Sequence, residues 1–369
     1  MGSLITGGGI PMKAFNCSFS ESEIAPVRQI LRKGELGFGK NVEVFESKFS
    51  QYSNKRHNIG LSSASAAAYC LFAYLYKKHG SCDVYTPSIG FASPVQAAIK
   101  NGHRVHFIDV DENLLADFDS YRNIRLWHLE RQLNVDFNKS VFMPILYGGT
   151  SDIGGLIQKV RDTNWGDIVV VDSAHCLRPT IESDYIFFSF HPLKPLAMSN
   201  GGILATESDE ANEYIRRYRN FGREHIDDSY DIVDMGFNFY MNNLNATLGL
   251  SKIETCFKDI ETKKRNFEYL KSRIDPSVGY FTTHDSNSSY YLATLILESK
   301  SSKGLRRKLR ENGAIASFHY PLLHKTTMFH TGGAVLPNSE KLEDRIINLP
   351  IHQDLTKENL RVIIEIINS

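Results

Sequence analysis

Between residues 56 and 206, short apolar runs alternate with stretches of helical character. Runs such as CDVYTP and DIVVVDSAH are separated by stretches such as SASAAAYCLFAYLYKK and SPVQAAIKNG. Strands that are separated by helices pair in parallel, and the helices cover both faces of the sheet. The pattern therefore predicts an α/β fold of three layers, built around a mostly parallel sheet.

The same pattern predicts where a ligand would bind. Further strand candidates are HRVHFIDVD, SVFMPILYGG, DYIFFSF and GGILAT. In open α/β sheets, ligands bind outside the carboxyl ends of the strands. Polar residues that directly follow these runs are therefore the first candidates for function.

The chain changes character after residue 206. Residues 207–272 are predicted to be mainly helical, with amphipathic spacing in NNLNATLGLSKIETCFKDIETKKRNFEYLKSRI. The segments SYYLATLILES, SSKGLRRKLRENG, AIASFHYPLL and TKENLRVIIEIINS then predict a smaller α+β unit. We predict a lead-in and first helix over residues 1–35, a large α/β domain over 36–260, and a small α+β domain over 261–369.

Composition narrows the possible partners and compartment. Lysine plus arginine and aspartate plus glutamate are both 42, so the formal net charge is zero, which disfavours nucleic acid or an anionic membrane as the main partner. The five cysteines have no metal-ligand spacing and indicate a reducing compartment. The first residues lack a signal-peptide pattern, and no run reaches membrane-spanning length. We expect a soluble cytoplasmic protein without a metal site.

The stretch SFHPLKPLAMSNGG places Lys194 between two prolines, a few residues after a buried strand candidate. Partial desolvation at such a place lowers the pKa of an amine and makes it a nucleophile towards a carbonyl. Taken alone, Lys194 would be better explained as a solvated loop residue.

Asp172 closes the apolar run DIVVVD, and His175 follows three residues later. A carboxylate at the mouth of a buried strand needs a cationic or hydrogen-bonding partner, such as a protonated pyridine nitrogen. By itself Asp172 could also cap a helix, and His175 could be structural.

An anion site is predicted at LSSASAAAY, where small residues precede a helix. Open N–H groups and the helix dipole favour an anion there, and the hydroxyls of Ser63, Ser65 and Ser189 could add donors. Phe91 follows another strand end, where it could stack on a planar ring. A plain helix cap and a core phenylalanine are the alternatives.

Together these segments resemble the DegT/DnrJ/StrS-type nucleotide-sugar aminotransferases, which are pyridoxal-phosphate enzymes of fold type I. The active-site block of that family is similar to Asp172-Ser-Ala-His175, FFSFHPLK and the following Gly-Gly. The resemblance continues along the chain in GFGKNVEVFESKFSQY, LSSASAAA, VYTPSIGFASPVQAAIKNGHRVHFIDVD, MGFNFYMNNLNATLGLSKIE, FHYPLLHK and NLPIHQDLT.

The resemblance implies a role for each candidate. Lys194 would form the internal aldimine and shuttle the proton, Asp172 would hold the pyridine nitrogen protonated, and His175 would contact the ring-side hydroxyl. The other implied contacts are ring stacking by Phe91 and phosphate binding by Ser63, Ala64, Ser65, Ser189 and, from the second subunit, Asn238. His319 and His324 are candidate contacts to the acceptor, although either could be a surface or core histidine.

We therefore predict a cytoplasmic homodimer that moves an amino group, from glutamate, onto a nucleotide-linked keto-sugar, with pyridoxal 5'-phosphate as cofactor. Four features depart from the family pattern: Ala64-Ser65 stands in place of Gly-Thr, Tyr240 in place of an arginine and Asn200 in place of a glutamate, and the loop CLRPTIESDY is short. A non-catalytic binding protein and a keto-sugar dehydratase of the same fold are the alternatives, and Lys194 disfavours the dehydratase, whose aldimine position holds histidine.

Overall fold

The computed structural model describes residues 12–131, 139–299, 301–330 and 334–369. Most of the predicted lead-in, residues 1–11, lies outside the described residues. Within them, the helices are α1 Glu21–Lys33, α2 Lys40–Ser53, α3 Ala64–His79, α4 Ala92–Lys100, α5 Phe118–Arg131, α6 Gly154–Asp162, α7 Asp209–Tyr218, α8 Asn243–Lys252, α9 Cys256–Lys271, α10 Ser302–Glu311, α11 Pro337–Glu343 and α12 Lys357–Asn368. The strands are β1 His57–Leu61, β2 Asp83–Pro87, β3 Arg104–Ile108, β4 Ser140–Phe142, β5 Ile168–Asp172, β6 Tyr185–Ser189, β7 Gly202–Thr206, β8 Arg223–Ile226, β9 Ser229–Ile232, β10 Gly279–Phe281, β11 Ala293–Leu297 and β12 Ile346–Leu349.

A seven-stranded sheet in the order β1-β7-β6-β5-β4-β2-β3 forms the centre of the molecule. Strands β2 to β6 pair in parallel, and β7 runs antiparallel to both β1 and β6. The antiparallel strand is a departure from the parallel pairing predicted between helices. Residues 190–201, which connect β6 to β7, contain no crossover helix, so the chain turns back beside the strand it has just left.

Both faces of this sheet are buried, as the apolar runs predict. Along β5, Val169 and Val171 pack in one hydrophobic cluster with the α2 residue Phe49. Val170 points to the opposite face and packs with the α3 residue Leu71. Successive side chains of a strand face opposite sides of the sheet, so a continuous valine run is buried from both directions. The predicted three-layer α/β architecture is confirmed.

The segment predicted to be helical over 207–272 contains a hairpin. Strands β8 and β9 pair antiparallel there, and Asp227 between them adopts a φ of 51°. The predicted long helix after Asn242 is also two helices, α8 and α9, which are separated at residues 253–255. Aspartate tolerates left-handed backbone and initiates turns, and this local preference outweighs the helical character of the flanking sequence.

The carboxyl-terminal part contains a separate three-stranded antiparallel sheet, β10-β11-β12, with α9, α10 and α12 beside it. The domain boundaries at residues 35 and 260 remain predictions. In the described ranges, no helix combines the length and apolar character needed to cross a bilayer.

Candidate active site

A cavity of about 320 Å³ opens where β5 and β6 end and α3 begins. Asp172 is the last residue of β5, and Ser189 is the last residue of β6 and pairs with Gly202 of β7. The sheet order therefore brings the predicted candidates to one edge. The cavity is lined by Ser63, Ala64, Ser65, Phe91, Ser93, Pro94, Ile145, Asp172, Ala174, His175, Phe187, Ser189, His191, Leu193, Lys194, Asn200, Tyr291, His319 and Tyr320.

Lys194 lies in the loop that connects β6 to β7, and its side chain enters the cavity. Its Nζ is 3.3 Å from the hydroxyl of Tyr291 and 4.4 Å from the centroid of that ring. Burial lowers the pKa of the amine to about 8, against the opposing attraction of the Asp172 carboxylate. Lys194 therefore has a larger neutral fraction near neutral pH than an ordinary lysine, which favours its use as a nucleophilic amine.

The carboxylate of Asp172 is buried at the end of β5, where its Oδ1 accepts a hydrogen bond of 2.9 Å from the N–H of Ala174. Burial raises the pKa of this carboxyl to about 6, although the N–H of Ala174 and the charge of Lys194 oppose the shift. A buried carboxylate with so few partners is poised to pair with a cationic group.

His175 is held by one ring nitrogen and has the other free. Its Nε2 is 2.8 Å from the hydroxyl of Tyr320, and its buried Nδ1 has no hydrogen-bond partner among the described residues. Burial, with the charges of Lys194 and His319, holds the pKa of His175 well below its ordinary value, so the ring is neutral. Buried polar atoms are usually paired, and this open nitrogen therefore marks a place for a ligand atom.

The turn before α3 forms the other end of the cavity. The hydroxyl of Ser63 caps the helix by accepting the N–H of Ala66 at 3.1 Å. The N–H groups of Ala64 and Ser65 have no partner among the described residues, as is usual for the first turn of a helix. A Cβ at Gly202 would lie 2.5 Å from the backbone N of Ala64, so only glycine lets β7 approach this turn so closely. The result is an anion cradle at a helix N-terminus.

Phe91 is the residue before α4 and lies at the mouth of the cavity. It is 60% exposed, and its ring centroid is 6.1 Å from that of Tyr320. A large aromatic side chain that remains exposed beside a cavity can cover a planar ligand. The alternative prediction, that Phe91 lies in the hydrophobic core, is wrong.

Two predicted residues are not brought to the cavity in the single chain. Asn238 lies in an exposed segment, where it forms a backbone bridge with Asn220. His324 is buried elsewhere, with its Nδ1 2.6 Å from the hydroxyl of Ser88 and its Nε2 3.4 Å from Glu340. His319, in contrast, lines the cavity.

Sequence reasoning missed two aromatic residues of the site, Tyr291 and Tyr320. Both lie in the last third of the chain and reach the cavity from outside the large sheet. Tyr320 lies directly after the predicted candidate His319 in the segment HYPLL. Tyr291 lies two residues before β11, whose five residues are all buried, and a tyrosine at the entrance of a buried strand is the signal that the sequence offers.

The model of the DegT/DnrJ/EryC1/StrS aminotransferase family matches residues 18–368. The chain belongs to this family.

Two curated members illustrate how far the relationship extends. The chain is 22% identical to the UDP-4-amino-4,6-dideoxy-N-acetyl-beta-L-altrosamine transaminase of Campylobacter jejuni, over 94% of each protein. It is 25% identical to the spore coat polysaccharide biosynthesis protein SpsC of Bacillus subtilis, over 94% of this chain and 93% of SpsC.

Solved structures of DegT/DnrJ/EryC1/StrS-type proteins share the fold. PseC of Helicobacter pylori, described as an aminotransferase of pseudoaminic acid biosynthesis, superposes with a TM-score of 0.86 at 20% identity, over 97% of this chain and 98% of PseC. The PLP form of Spr1654 from Streptococcus pneumoniae superposes with a TM-score of 0.85 at 21% identity, over 97% and 98%. The predicted family, fold type I architecture, aminotransferase class and pyridoxal-phosphate cofactor are confirmed.

The residues of the cavity fit this cofactor. Pyridoxal phosphate needs an amine for its aldehyde, an acid for its ring nitrogen, a partner for its ring oxygen and an anion site for its phosphate. The cavity contains a buried amine in Lys194 and a buried acid in Asp172, and the unpaired Nδ1 of His175 is the one buried ring nitrogen of the described cavity that lacks a partner. The close approach of Gly202 to the turn before α3 shapes the fourth.

Proposed function

We propose that this aminotransferase moves an amino group from glutamate onto a keto group of a nucleotide-linked deoxysugar, in the synthesis of a surface polysaccharide or of a sugar for a secondary metabolite. The name of the Campylobacter relative and the descriptions of SpsC and PseC support this substrate class. The observation that carries the proposal is the meeting of Lys194, Asp172 and the unpaired Nδ1 of His175 in one cavity.

The protein would hold the cofactor from three sides. Asp172 would keep the ring nitrogen protonated, because a buried carboxylate gains most from a cationic partner. His175 would bond the ring oxygen through Nδ1, while Tyr320 fixes the opposite ring nitrogen at 2.8 Å. Phe91 would cover one face of the ring.

The phosphate would lie on the turn before α3. The free N–H groups of Ala64 and Ser65 point from the first turn of a 16-residue helix, whose dipole favours an anion. The hydroxyls of Ser65 and Ser189 would add donors, and Ser63 would act through its cap on Ala66 and its place in the turn.

Bound pyridoxal phosphate supplies an electron sink that stabilises negative charge on a carbon next to nitrogen. Lys194 supplies the base: its Nζ would accept the proton from the α-carbon of the amino donor. The neutral amine is accessible because burial lowers its pKa to about 8. His319, at the same cavity, would contact the acceptor sugar.

The proposal includes a homodimer in which Asn238 reaches the phosphate of the neighbouring site. Exposed apolar side chains surround Asn238 in the chain, among them Ile232 at 64%, Met235 at 74% and Phe237 at 42%. Such a patch is typical of a protein–protein interface. A cytoplasmic location belongs to the same proposal, since the scattered cysteines suit a reducing compartment.

The test begins with the purified protein and pyridoxal phosphate. We expect a visible absorbance band that borohydride abolishes, with the reduced adduct located on Lys194 by mass spectrometry. A screen of nucleotide-linked keto-sugars with glutamate, read by the mass of the amino product, then identifies the acceptor. Lys194→Ala should lose both the band and turnover, whereas the exposed-lysine control Lys100→Ala should keep both. A colourless protein, or turnover by Lys194→Ala, would refute the proposal.

A further inference from the structure

Tyr291 is a buried tyrosine whose hydroxyl is directed at Lys194. The residue is 4% exposed, and the amine of Lys194 at 3.3 Å is the one hydrogen-bond partner of its hydroxyl among the described residues. The same amine lies 4.4 Å from the ring centroid. No other side chain of the described part of the chain hydrogen-bonds this amine.

Packing on two sides holds the ring of Tyr291 in place. Phe15 stacks on it with a centroid distance of 5.3 Å and an interplanar angle of 22°, and the His175 ring lies 4.4 Å away. The backbone N–H of Tyr291 donates to the carbonyl of Gly148 at 3.0 Å. A long, flexible lysine side chain is thus met by a rigid partner.

The turn at Gly149 brings this partner to the site. Gly149 has a φ of 99°, and a Cβ there would lie 2.9 Å from the carbonyl oxygen of His175 and 3.0 Å from the N of Tyr291. The segment after β5 and the segment before β11 can therefore approach each other only because glycine separates them. The His175 and Tyr291 rings meet as a consequence.

The phenol of Tyr291 remains a hydrogen-bond donor over the working range of pH. Burial raises the pKa of Tyr291 well above its ordinary value, so the hydroxyl stays protonated. It can donate to the lone pair of a neutral amine, whereas its oxygen accepts from the amine when the amine is charged, and the ring face also attracts that charge. Both protonation states of Lys194 therefore have a favourable position beside Tyr291.

We propose that Tyr291 is a positioning residue that holds the free amine of Lys194 in the cavity through the hydrogen bond between its hydroxyl and Nζ. This inference rests on the proposed function, in which Lys194 has to act as a free base during part of each turnover. Without a partner the four-carbon side chain would sample many rotamers, and the base would often be out of reach of the α-carbon.

The decisive test measures the titration of Lys194 in the full-length protein before pyridoxal phosphate is added. Acetic anhydride acylates only the neutral amine, and mass spectrometry of the Lys194 peptide at a series of pH values gives the midpoint. A hydrogen bond from the charged amine to the Tyr291 oxygen is stronger than a bond to the neutral amine, so the hydroxyl favours the charged form of Lys194. In Tyr291→Phe, which keeps the ring and loses the hydroxyl, we expect the midpoint to fall by about half to one pH unit.

A second variant separates the hydroxyl from the ring. Tyr291→Leu also removes the ring face that favours the charged amine, so its midpoint should lie below that of Tyr291→Phe. The matched control is Tyr290→Phe, because Tyr290 is an equally buried neighbour that stacks on His284 at 4.5 Å and does not line the cavity. Its midpoint should equal that of the unmodified protein. An unchanged or higher midpoint in Tyr291→Phe would overturn the proposal.

Steady-state kinetics of the enzyme with bound pyridoxal phosphate provide a further test. In Tyr291→Phe we expect kcat to fall about tenfold, with the KM values for donor and acceptor nearly unchanged.

Fluorotyrosine in place of Tyr291 is a stronger donor and a weaker acceptor with the same packing, so it should lower the acylation midpoint of Lys194. A midpoint that stays in place would count against the inference even if Tyr291→Phe folded poorly. The acylation assay does not use pyridoxal phosphate, so failure of this inference and failure of the proposed function give different results.

Discussion

The Glu46 carboxylate accepts the backbone N–H of Gly60 at 2.7 Å and the guanidinium of Arg219 at 2.5 Å. Arg219 in turn donates to the carbonyl of Gly60 at 2.6 Å. All three groups are buried, and Gly60 lies near the end of β1, just before the turn at Ser63. This ion pair therefore anchors the backbone that leads into the proposed phosphate site.

Loss of the Glu46 charge should destabilise the fold. In Glu46→Gln the buried guanidinium of Arg219 loses its main counter-charge, and removing one partner of a buried ion pair costs about 3–5 kcal/mol. Urea unfolding followed by circular dichroism measures the change. Glu43→Gln, at an exposed position of the same helix, should change the free energy of unfolding by less than about 1 kcal/mol. Equal stability of the two variants would show that Arg219 finds another partner.

A methyl group at Gly202 should disturb the phosphate site. The Cβ of Gly202→Ala would meet backbone atoms of Ser63 and Ala64 at 2.5 Å, and backbone cannot rotate away as a side chain can. We expect a loss of about 1–3 kcal/mol in stability and weaker binding of pyridoxal phosphate, measured by fluorescence titration. Gly304→Ala is the control, because its Cβ would meet nothing within 4 Å. Unchanged affinity in Gly202→Ala would place the phosphate elsewhere.

The reactivity of Lys194 should depend on pH with a midpoint near 8. Burial disfavours the cation, so the neutral, reactive amine accumulates as pH rises through the lowered pKa of about 8 instead of the ordinary 10.5. Asp172 opposes this shift, so Asp172→Asn should move the midpoint still lower, and loss of the acid should slow turnover severely. Stopped-flow absorbance after mixing with pyridoxal phosphate follows the reaction. A midpoint above 10 would mean that the amine faces bulk water.

Substitution of His319 and His324 should give contrasting results. His319 lines the cavity, so His319→Ala should raise the KM for the acceptor while the thermal unfolding midpoint stays close to that of the parent. His324 is buried and bonded to Ser88 at 2.6 Å, so His324→Ala leaves a hydroxyl short of a partner and should cost about 1–3 kcal/mol. If instead His324→Ala changed only the KM, the acceptor would extend further than the cavity described above.

Mixing two inactive variants tests the proposed shared site. If Asn238 serves the site of the partner subunit, Asn238→Ala and Lys194→Ala combined in one dimer leave one complete active site and one doubly defective site. After co-refolding, the mixture should regain activity that neither variant has alone. Sedimentation measures the dimer in parallel, so a mixture that dimerises without regaining activity would exclude Asn238 from the partner's site.

The strands, the functional edge of the sheet and the family could be predicted from the sequence because they depend on local signals. Continuous apolar runs such as IVVVD in β5 predict strands buried on both faces, and the polar residue after each run, Asp172 or Ser189, marks the functional edge of the sheet. The sequence also contained the segments that identified the family. These features depend on neighbours along the chain, which is why they are readable without a structure.

Tertiary structure decided what depends on residues far apart in the sequence. The antiparallel direction of β7, the approach of Gly202 to Ala64, and the arrival of Tyr291 beside Lys194 leave no periodic signal, because each is a contact between segments that the chain brings together only on folding. The same holds for His319 and His324, two histidines in one short segment, of which packing directs one into the cavity and buries the other against Ser88. Residue type and spacing are local properties, whereas burial and partner choice belong to the whole packed chain.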